Sequence, residues 1–302
     1  MSHDIYLYGM IIWSQGFLLN GDYPAADGYG EIKEMHTFAG GETGAAAAVL
    51  ASLGCGVKID GNFLGHGTEK QLRGFFTERG IDCSRLVCDP DFEGVKDYVL
   101  IDQSTRTCFG QFGQFFSSPV KRWNQPDPRD IQDAKTVAID PFIEDGALLA
   151  AQCCKQAQVP YVTIDCKYDS FLAKNAAVCA ISGEFVRGTY PNETREALLK
   201  RYTEQTDGLV IFTGGGGEML YARKGKPINR MRAFSVDAVS TLGAGDTFKA
   251  GCVYGLHNRM PDDALVRFAA ACAGDAVTRF PISVYPPTLE RIERLLKTRQ
   301  DG

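Results

Sequence analysis

Hydrophobic residues in the second half of the chain form short apolar runs that are separated by longer segments with helical spacing. The runs predict four strands, at 136–140, 161–165, 178–181 and 209–213. The helical segments include 146–156 and 193–204. Apolar strands that alternate with helices are typical of a parallel sheet covered on both faces. We therefore expect an α/β fold whose ligand site lies beyond the carboxyl ends of the strands, near Asp140, Asp165 and Thr213.

In the first half, similar apolar runs predict buried strands at 5–9 and 57–61. The alanine-rich segment 42–53 has helical spacing and is apolar on nearly every side, so we expect this helix to be buried between layers. A second helix is predicted at 68–79. Helical spacing returns near the end of the chain, at 262–278 and 289–298.

Two segments have β character without a following helix. Segment 10–38 mixes β-prone residues with turn residues and predicts a hairpin. Segment 94–116 alternates polar and apolar residues, with a turn predicted at 102–105. These segments interrupt the strand–helix alternation, and neither has the composition of a linker.

The most informative stretch is the glycine-spaced turn at 240–251, which ends in an acid and continues into a helical pattern. Gly243 and Gly245 carry no side chain that would keep a ligand from the backbone. The first N–H groups of the following helix have no intrahelical partner, and the helix start favours phosphate oxygens. Asp246 is either an acid that satisfies helix donors or a base that accepts a proton from a substrate hydroxyl. The spacing alone leaves both interpretations open.

The run Gly243-Ala244-Gly245-Asp246, with Thr241 before it and Phe248 and Gly251 after it, resembles the C-terminal signature of the ribokinase-like, PfkB family of carbohydrate kinases. The resemblance implies that Asp246 is the catalytic base. It implies that Gly243, Ala244, Gly245 and the Asp246 backbone form the anion hole for the γ-phosphate of ATP, with Mg²⁺ as the metal. No Walker A sequence occurs in the chain, so a P-loop kinase is not a competing interpretation.

The same resemblance implies a three-layer α/β/α fold with a mostly parallel central sheet and a small β-sheet lid. We expect one domain over 1–302, with the lid formed by about 11–38 and 94–116. Some relatives pair through exposed lid edges, so the sequence leaves a homodimer open.

The N-terminal part is similar to the family's N-terminal signature, from the glycine pair Gly40-Gly41 through 61–65 to 80–82. The resemblance implies that this pair lies against the sugar, although glycines that merely allow close helix packing would look the same. Arg106 is followed by threonine, as in many family members. It either reaches the substrate or is an exposed strand charge.

For the nucleotide, the resemblance implies contacts from Thr241, Gly243 and Gly245 and from a Thr-x-Gly element at a strand end, matched by Thr213 and Gly215. A glycine run between two strands is also a common tight connection, and that alternative stays open.

Several positions depart from the family pattern. Ser14 stands where an aspartate commonly binds sugar hydroxyls, and Ala45 replaces the usual sugar-contacting asparagine. These two positions are still the expected substrate contacts, but ribose itself is in doubt. Glu184 lies two positions after Ser182. It is either a residue that helps to hold the metal or a solvated acid at a helix end.

A further departure concerns a monovalent cation. Ser240 replaces an aspartate that helps to bind such a cation in the family, and Phe280-Pro281 replaces a nearby glycine. Hard cations prefer charged oxygen ligands, so we expect little or no activation by potassium.

Composition narrows the class of protein. The chain has 302 residues, 44% hydrophobic and 23% charged, as in an ordinary globular protein. Its net charge of -5 provides no basic field for nucleic acid or an anionic membrane. No apolar stretch approaches the roughly 20 residues that span a bilayer, and the chain start does not read as a signal peptide. We therefore expect a cytoplasmic protein without a nucleic-acid or membrane partner.

Ten cysteines are scattered through apolar segments without a CxxC pair, so we expect buried, reduced thiols. The four histidines show no ligand spacing, and we expect no zinc site.

Together these observations predict an ATP-dependent kinase that phosphorylates a hydroxyl of a sugar or sugar-like polyol. One alternative is a nucleoside kinase of the same family, with a base stacked on aromatic residues of the lid: Tyr23, Phe112, Phe115 and Phe116. Another is a regulator that binds a sugar or nucleotide without catalysis. The sequence does not identify the acceptor or the hydroxyl that is phosphorylated.

Overall fold

The middle layer of the protein is an eight-stranded sheet with helices on both faces. The computed structural model describes residues 3–102 and 105–298. The strands are β1 (Ile5–Gly9), β2 (Ile12–Leu19), β3 (Ile32–Gly40), β4 (Val57–Gly61), β5 (Leu64–Gly65), β6 (Cys88–Asp89), β7 (Lys96–Ile101), β8 (Arg106–Gly110), β9 (Thr136–Ile139), β10 (Tyr161–Ile164), β11 (Val178–Ile181), β12 (Leu209–Phe212), β13 (Glu218–Ala222) and β14 (Asn229–Arg232). The helices are α1 (Glu42–Ser52), α2 (Glu69–Thr77), α3 (Phe112–Ser117), α4 (Pro128–Asp133), α5 (Glu144–Ala157), α6 (Phe171–Asn175), α7 (Gly183–Thr189), α8 (Arg195–Gln205), α9 (Ala244–His257), α10 (Asp262–Ala276) and α11 (Leu289–Lys297).

The strand order of the large sheet places a ligand crevice near its centre. The order is β14-β13-β12-β11-β10-β9-β1-β4, parallel from β12 to β4 and antiparallel at β13 and β14. The chain order reverses between β1 and β9, and open parallel sheets bind ligands at such a switch point. The predicted α/β fold with a mostly parallel sheet is confirmed.

Helix α1 shows how the sequence produces the layers. Its residues from Thr43 to Leu50 are all buried, because small alanine side chains let it fit between the sheet and α9. The backbones of α9 and α10 also approach closely. A Cβ atom at Gly251 would lie 2.5 Å from the Ala269 Cα atom. The prediction that segment 42–53 is a buried helix is confirmed.

A separate four-stranded sheet, called here the small sheet, has the order β3-β2-β7-β8. Strands β2 and β3 form the predicted hairpin, and β7 pairs in parallel with β2. Its outer face exposes Met35, Tyr98 and Phe109. A homodimer through this sheet stays a prediction.

The structure corrects two predictions. The end of segment 94–116 is not β but enters helix α3, because after Gly110 the aromatic residues adopt helical spacing that buries Phe115. Cys108 is exposed on β8, at the edge of the small sheet, and not buried; the ten thiols are free. In the predicted turn at 102–105, residues 103 and 104 lie outside the described residues. None of the described helices has the length and hydropathy needed to cross a bilayer.

Candidate active site

The turn before α9 leaves backbone donors at the helix start. Gly243, the residue before the helix, has a φ of +77°, in the left-handed region that glycine adopts without strain. Ala244 donates its N–H to the Thr241 carbonyl oxygen at 3.2 Å, which closes the turn. The N–H groups of Gly245 and Asp246 lie in the first helical turn, where intrahelical acceptors are absent. This geometry suits an anion.

Asp246 lines two cavities that meet at the start of α9. The smaller cavity, of about 60 Å³, lies between the small sheet and the turn at Gly243, and we call it the acceptor pocket. The larger cavity is a cleft of about 460 Å³, which we call the nucleotide cleft. Because Asp246 lines both, this residue is placed to contact a group bound in either one.

The acceptor pocket contains four of the residues that the sequence proposed for the substrate: Ser14, Gly40, Gly41 and Ala45. The two glycines are required by close approach. A Cβ atom at Gly40 would lie 2.1 Å from Ser14 Oγ, and one at Gly41, where φ is +75°, would lie 2.5 Å from the Met10 carbonyl oxygen. The packing alternative for this glycine pair therefore has support, although both residues also line the cavity.

The nucleotide cleft brings together four of the residues proposed for the nucleotide: Thr213, Gly215, Thr241 and Gly245. Gly243 lines the acceptor pocket instead. Helix α10 forms one apolar wall of the cleft through Ala270, Ala273 and Gly274. Small residues there leave room for a flat ring. Thr213 and Gly215 lie in the loop that connects β12 to β13.

The sequence of this chain matches the model of a known protein family. The family model described as pfkB family carbohydrate kinase matches residues 19–283. The chain belongs to the PfkB family of carbohydrate kinases. Members of this family are phosphotransferases, so the predicted enzyme class is confirmed.

Individual relatives of this PfkB kinase are distant. A 5-dehydro-2-deoxygluconokinase of Geobacillus kaustophilus is 32% identical over 31% of this chain and 28% of its own length. This alignment therefore spans less than a third of that relative. The enzyme of the same name from Shouchella clausii is 23% identical over 88% of this chain and 89% of its own. The solved structure of Arabidopsis thaliana ribokinase complexed with ribose and ATP has a TM-score of 0.80 at 18% identity, covering 98% and 99% of the two chains.

Burial raises the pKa of Asp246 in this PfkB kinase to about 6. The nearby Lys249 ammonium lowers that pKa, and the Asp140 carboxylate raises it. A carboxyl with a pKa near 6 is ionised at neutral pH and is a better proton acceptor than an ordinary aspartate.

Behind Asp246 lies a buried ion pair that sequence reasoning missed. Lys249 and Asp140 are 1% and 0% exposed and form a short contact. Asp140 also accepts hydrogen bonds from Thr43 Oγ1 at 2.7 Å and from the Met10 N–H at 3.2 Å. Lys249 follows Asp246 by three positions, so both side chains extend from one face of α9. In the sequence, the signal for this lysine was a charged residue three positions after Asp246 in an otherwise apolar helical segment.

Glu42, the first residue of α1, is a second acid that sequence reasoning missed. It lines the nucleotide cleft together with Asp246. Burial raises its pKa to about 8, and the charges of Asp246 and Asp140 add to the effect. Its position directly after the glycine pair was the signal in the sequence.

Arg106 lies on the small sheet and reaches the turn before α9. Its Nη1 atom donates to Thr241 Oγ1 at 3.2 Å, and its charge lowers the pKa of Asp246. It does not line the acceptor pocket, so its place is beside the nucleotide cleft. The side chain is exposed, which agrees with the interpretation of Arg106 as an exposed charge on a strand.

Glu184 is exposed in the first turn of α7 and does not line the nucleotide cleft. Asp165, at the end of β10, does line it. The Asp165 carboxylate accepts hydrogen bonds from the Ser182 N–H at 2.6 Å and the Ser182 hydroxyl at 2.9 Å. No group of three potential metal ligands occurs in the described parts of the chain. Mg²⁺ takes only one or two carboxylates when it binds with substrate phosphates, and the cleft offers Glu42 and Asp165.

Ser240 is buried, and its hydroxyl accepts a hydrogen bond from the Leu242 N–H at 3.2 Å. Phe280 packs edge-on against Phe38 and His36 of the small sheet, with ring centroids 5.7 and 5.6 Å apart. This aromatic contact joins the body to the small sheet. The expectation of little potassium activation stays a prediction.

Proposed function

We propose that this PfkB kinase transfers the γ-phosphoryl group of ATP to a hydroxyl of a sugar or sugar-like polyol. The observation that carries the proposal is the position of Asp246, which lines both the acceptor pocket and the nucleotide cleft. An acceptor hydroxyl in the pocket and a phosphate in the cleft would meet at this carboxylate.

In this mechanism Asp246 accepts the proton of the acceptor hydroxyl. The hydroxyl oxygen forms a bond to the γ-phosphorus of ATP as the bond between that phosphorus and the β–γ bridging oxygen breaks, and ADP leaves. The N–H groups at the start of α9 bind the phosphoryl oxygens, whose charge is distributed over them during transfer. The left-handed Gly243 sets the direction of those donors. Arg106 adds a positive charge next to the same turn.

The charge of a Mg²⁺ ion held in the nucleotide cleft would offset part of the charge of the ATP phosphates. Glu42 and Asp165 are the cleft acids that could hold it. Asp165 would do so most simply through water, since both of its oxygens accept hydrogen bonds from Ser182.

The small sheet would serve as a lid over the acceptor pocket. Ser14 and Phe38 of this sheet form one wall of the pocket, and Gly243 and Ile282 of the body form the other. Water excluded from the pocket cannot compete with the acceptor hydroxyl, so transfer is favoured over hydrolysis of ATP.

Of the two alternatives, the nucleoside kinase receives no support from the aromatic residues that suggested it. None of Tyr23, Phe112, Phe115 and Phe116 lines either cavity in the described part of the chain. Phe115 instead packs against Phe92 and Trp123. The regulator alternative stays open until turnover is measured.

The test is an ADP-release assay with Mg·ATP against hexoses, ketoses, pentoses, polyols, acid sugars and nucleosides. We expect turnover with at least one sugar or polyol. The names of the curated relatives make acid sugars such as aldonates part of this panel. Binding of ATP and of a sugar without turnover on any acceptor would instead support the regulator.

The pKa of Asp246 predicts how the rate depends on pH. The base must be ionised, so kcat/KM for the acceptor should fall about tenfold per pH unit below a pH of about 6. Above pH 7 the ionisation of Asp246 should no longer change kcat/KM. The measurement is a pH profile at saturating Mg·ATP, with the coupling enzymes shown not to limit the rate. A level profile between about pH 5 and 7 would contradict the base assignment.

A further inference from the structure

We propose that Asp97, on strand β7 of the small sheet, is the specificity-determining residue of the acceptor pocket, and that it selects an uncharged polyhydroxy acceptor over a carboxylated sugar. The inference rests on the proposed kinase function and names its substrate class. Asp97 was not among the residues that the sequence suggested.

The register of the small sheet places Asp97 in the pocket. Strand β7 pairs in parallel with β2, and Asp97 is the partner of Ser14, which in turn is opposite Phe38 on β3. The three side chains line the acceptor pocket together.

Two polar atoms of the pocket residues have unused hydrogen-bonding capacity. Asp97 Oδ1 and Ser283 Oγ are buried and have no partner among the described residues. One belongs to the small sheet and the other to the loop after α10, so they approach the pocket from different sides. Because buried polar groups are normally paired, this arrangement points to a ligand with several hydroxyl groups.

The charges of the pocket decide which ligand fits. The charged residues among its described lining are Asp97 and Asp246, both acids. Burial raises the pKa of Asp97, and the hydrogen bond from the Ser14 hydroxyl offsets part of that rise. Of the two cations near this site, Arg106 donates to Thr241 outside the pocket, and the Lys249 ammonium is paired with Asp140. A carboxylate on the acceptor would therefore meet two acids, and no cation is among the described lining residues to offset the repulsion.

A sugar hydroxyl has the opposite interaction with this pocket. It donates to the Asp97 carboxylate in a charge-assisted hydrogen bond, which is stronger than a neutral one. A vicinal pair of hydroxyl groups can use both carboxylate oxygens. The acceptor class then differs from the aldonate suggested by the names of the curated relatives.

The test compares wild type with Asp97→Asn, which keeps the shape and removes the charge. Asp22→Asn is the matched control, because Asp22 is an exposed acid in the loop between β2 and β3. Acceptor probes are D-fructose, D-ribose and D-sorbitol against D-gluconate. Binding is measured by calorimetry without ATP, and kcat/KM is measured with Mg·ATP.

We expect at least one neutral probe to bind wild type more tightly than gluconate. In Asp97→Asn, its affinity and kcat/KM should fall about 10- to 100-fold, mainly through KM. Gluconate binding should improve, while KM for ATP and the Asp22→Asn values change less than about twofold. Since the replaced carboxylate is costly to bury, loss of folding is not expected. Asp97→Ser serves as a second variant.

The outcomes separate this inference from the kinase proposal. Turnover of gluconate in preference to all neutral probes, unchanged in Asp97→Asn, would overturn the inference and leave the kinase in place. Binding of a neutral probe that depends on Asp97, without any turnover, would retain the inference and remove the kinase. Absence of binding by every neutral probe would overturn the inference.

Discussion

Replacing Asp246 with asparagine should lower turnover by at least about 100-fold and leave ATP binding in place. The amide has nearly the same shape but cannot accept the hydroxyl proton. The N–H donors of the helix start remain, so nucleotide binding in the cleft is retained. Single-turnover rates and calorimetric ATP titrations of the two proteins provide the measurement.

Asp237→Asn is the matched control for this experiment. Asp237 is an exposed acid in the loop before the same turn and lines neither cavity.

The Asp246→Asn variant should also differ from wild type in melting temperature, or at least melt no lower. Burial raises the pKa of Asp246 from its usual 3.8 to about 6, so stability from this group is lost as the pH rises between these two values and is absent above them. The asparagine variant should therefore melt no lower than wild type at pH 7. Turnover within tenfold of wild type would exclude Asp246 as the base.

Lys249→Met should have the largest effect on stability. The change leaves the Asp140 carboxylate buried without its cation, and breaking such a pair costs about 3–5 kcal/mol. The midpoint of thermal unfolding should fall by roughly 5–8 °C. Because Lys249 lowers the pKa of Asp246, the acid limb of the rate profile should also move to higher pH in the variant. Calorimetry and a pH profile measure the two effects.

The double variant Lys249→Met with Asp140→Asn tests whether the lost stability comes from the unpaired charge. Asparagine retains an oxygen for the donors Thr43 and Met10 while removing the charge. Most of the lost stability should therefore return. A Lys249→Met protein as stable as wild type would show that Asp140 becomes protonated or solvated at little cost, and would contradict this account.

Local sequence patterns predicted much of the fold because burial on both faces requires continuous apolar strands. Strands such as β9 and β12 are fully buried and appear in the sequence as short apolar runs. The helix-start signal at α9 was equally local, since Gly243 is needed for its positive φ. The switch from strand to helix at α3 was missed, because six residues contain too few turns to establish a period.

The residues around Asp246 illustrate the limit of local reasoning. Lys249 and Asp140 are 109 positions apart, and Ser14 and Asp97 are brought together by parallel pairing of strands from two segments. A buried charge is stable only beside its partner, and no sequence window contains both members of either pair. The acceptor pocket therefore depended on tertiary structure for its composition.

Short-range periodicity was enough to predict the layered α/β fold, and a backbone geometry that favours glycine marked the turn that contains Asp246. The family followed from the resemblance of the residues in that turn to a known signature. Which acids and cations are neighbours depended on the tertiary structure, which pairs Lys249 with Asp140 and leaves Asp97 Oδ1 without a partner among the described residues. Electrostatic and hydrogen-bond partners are selected by distance in space, which strand pairing and helix packing set across the whole chain.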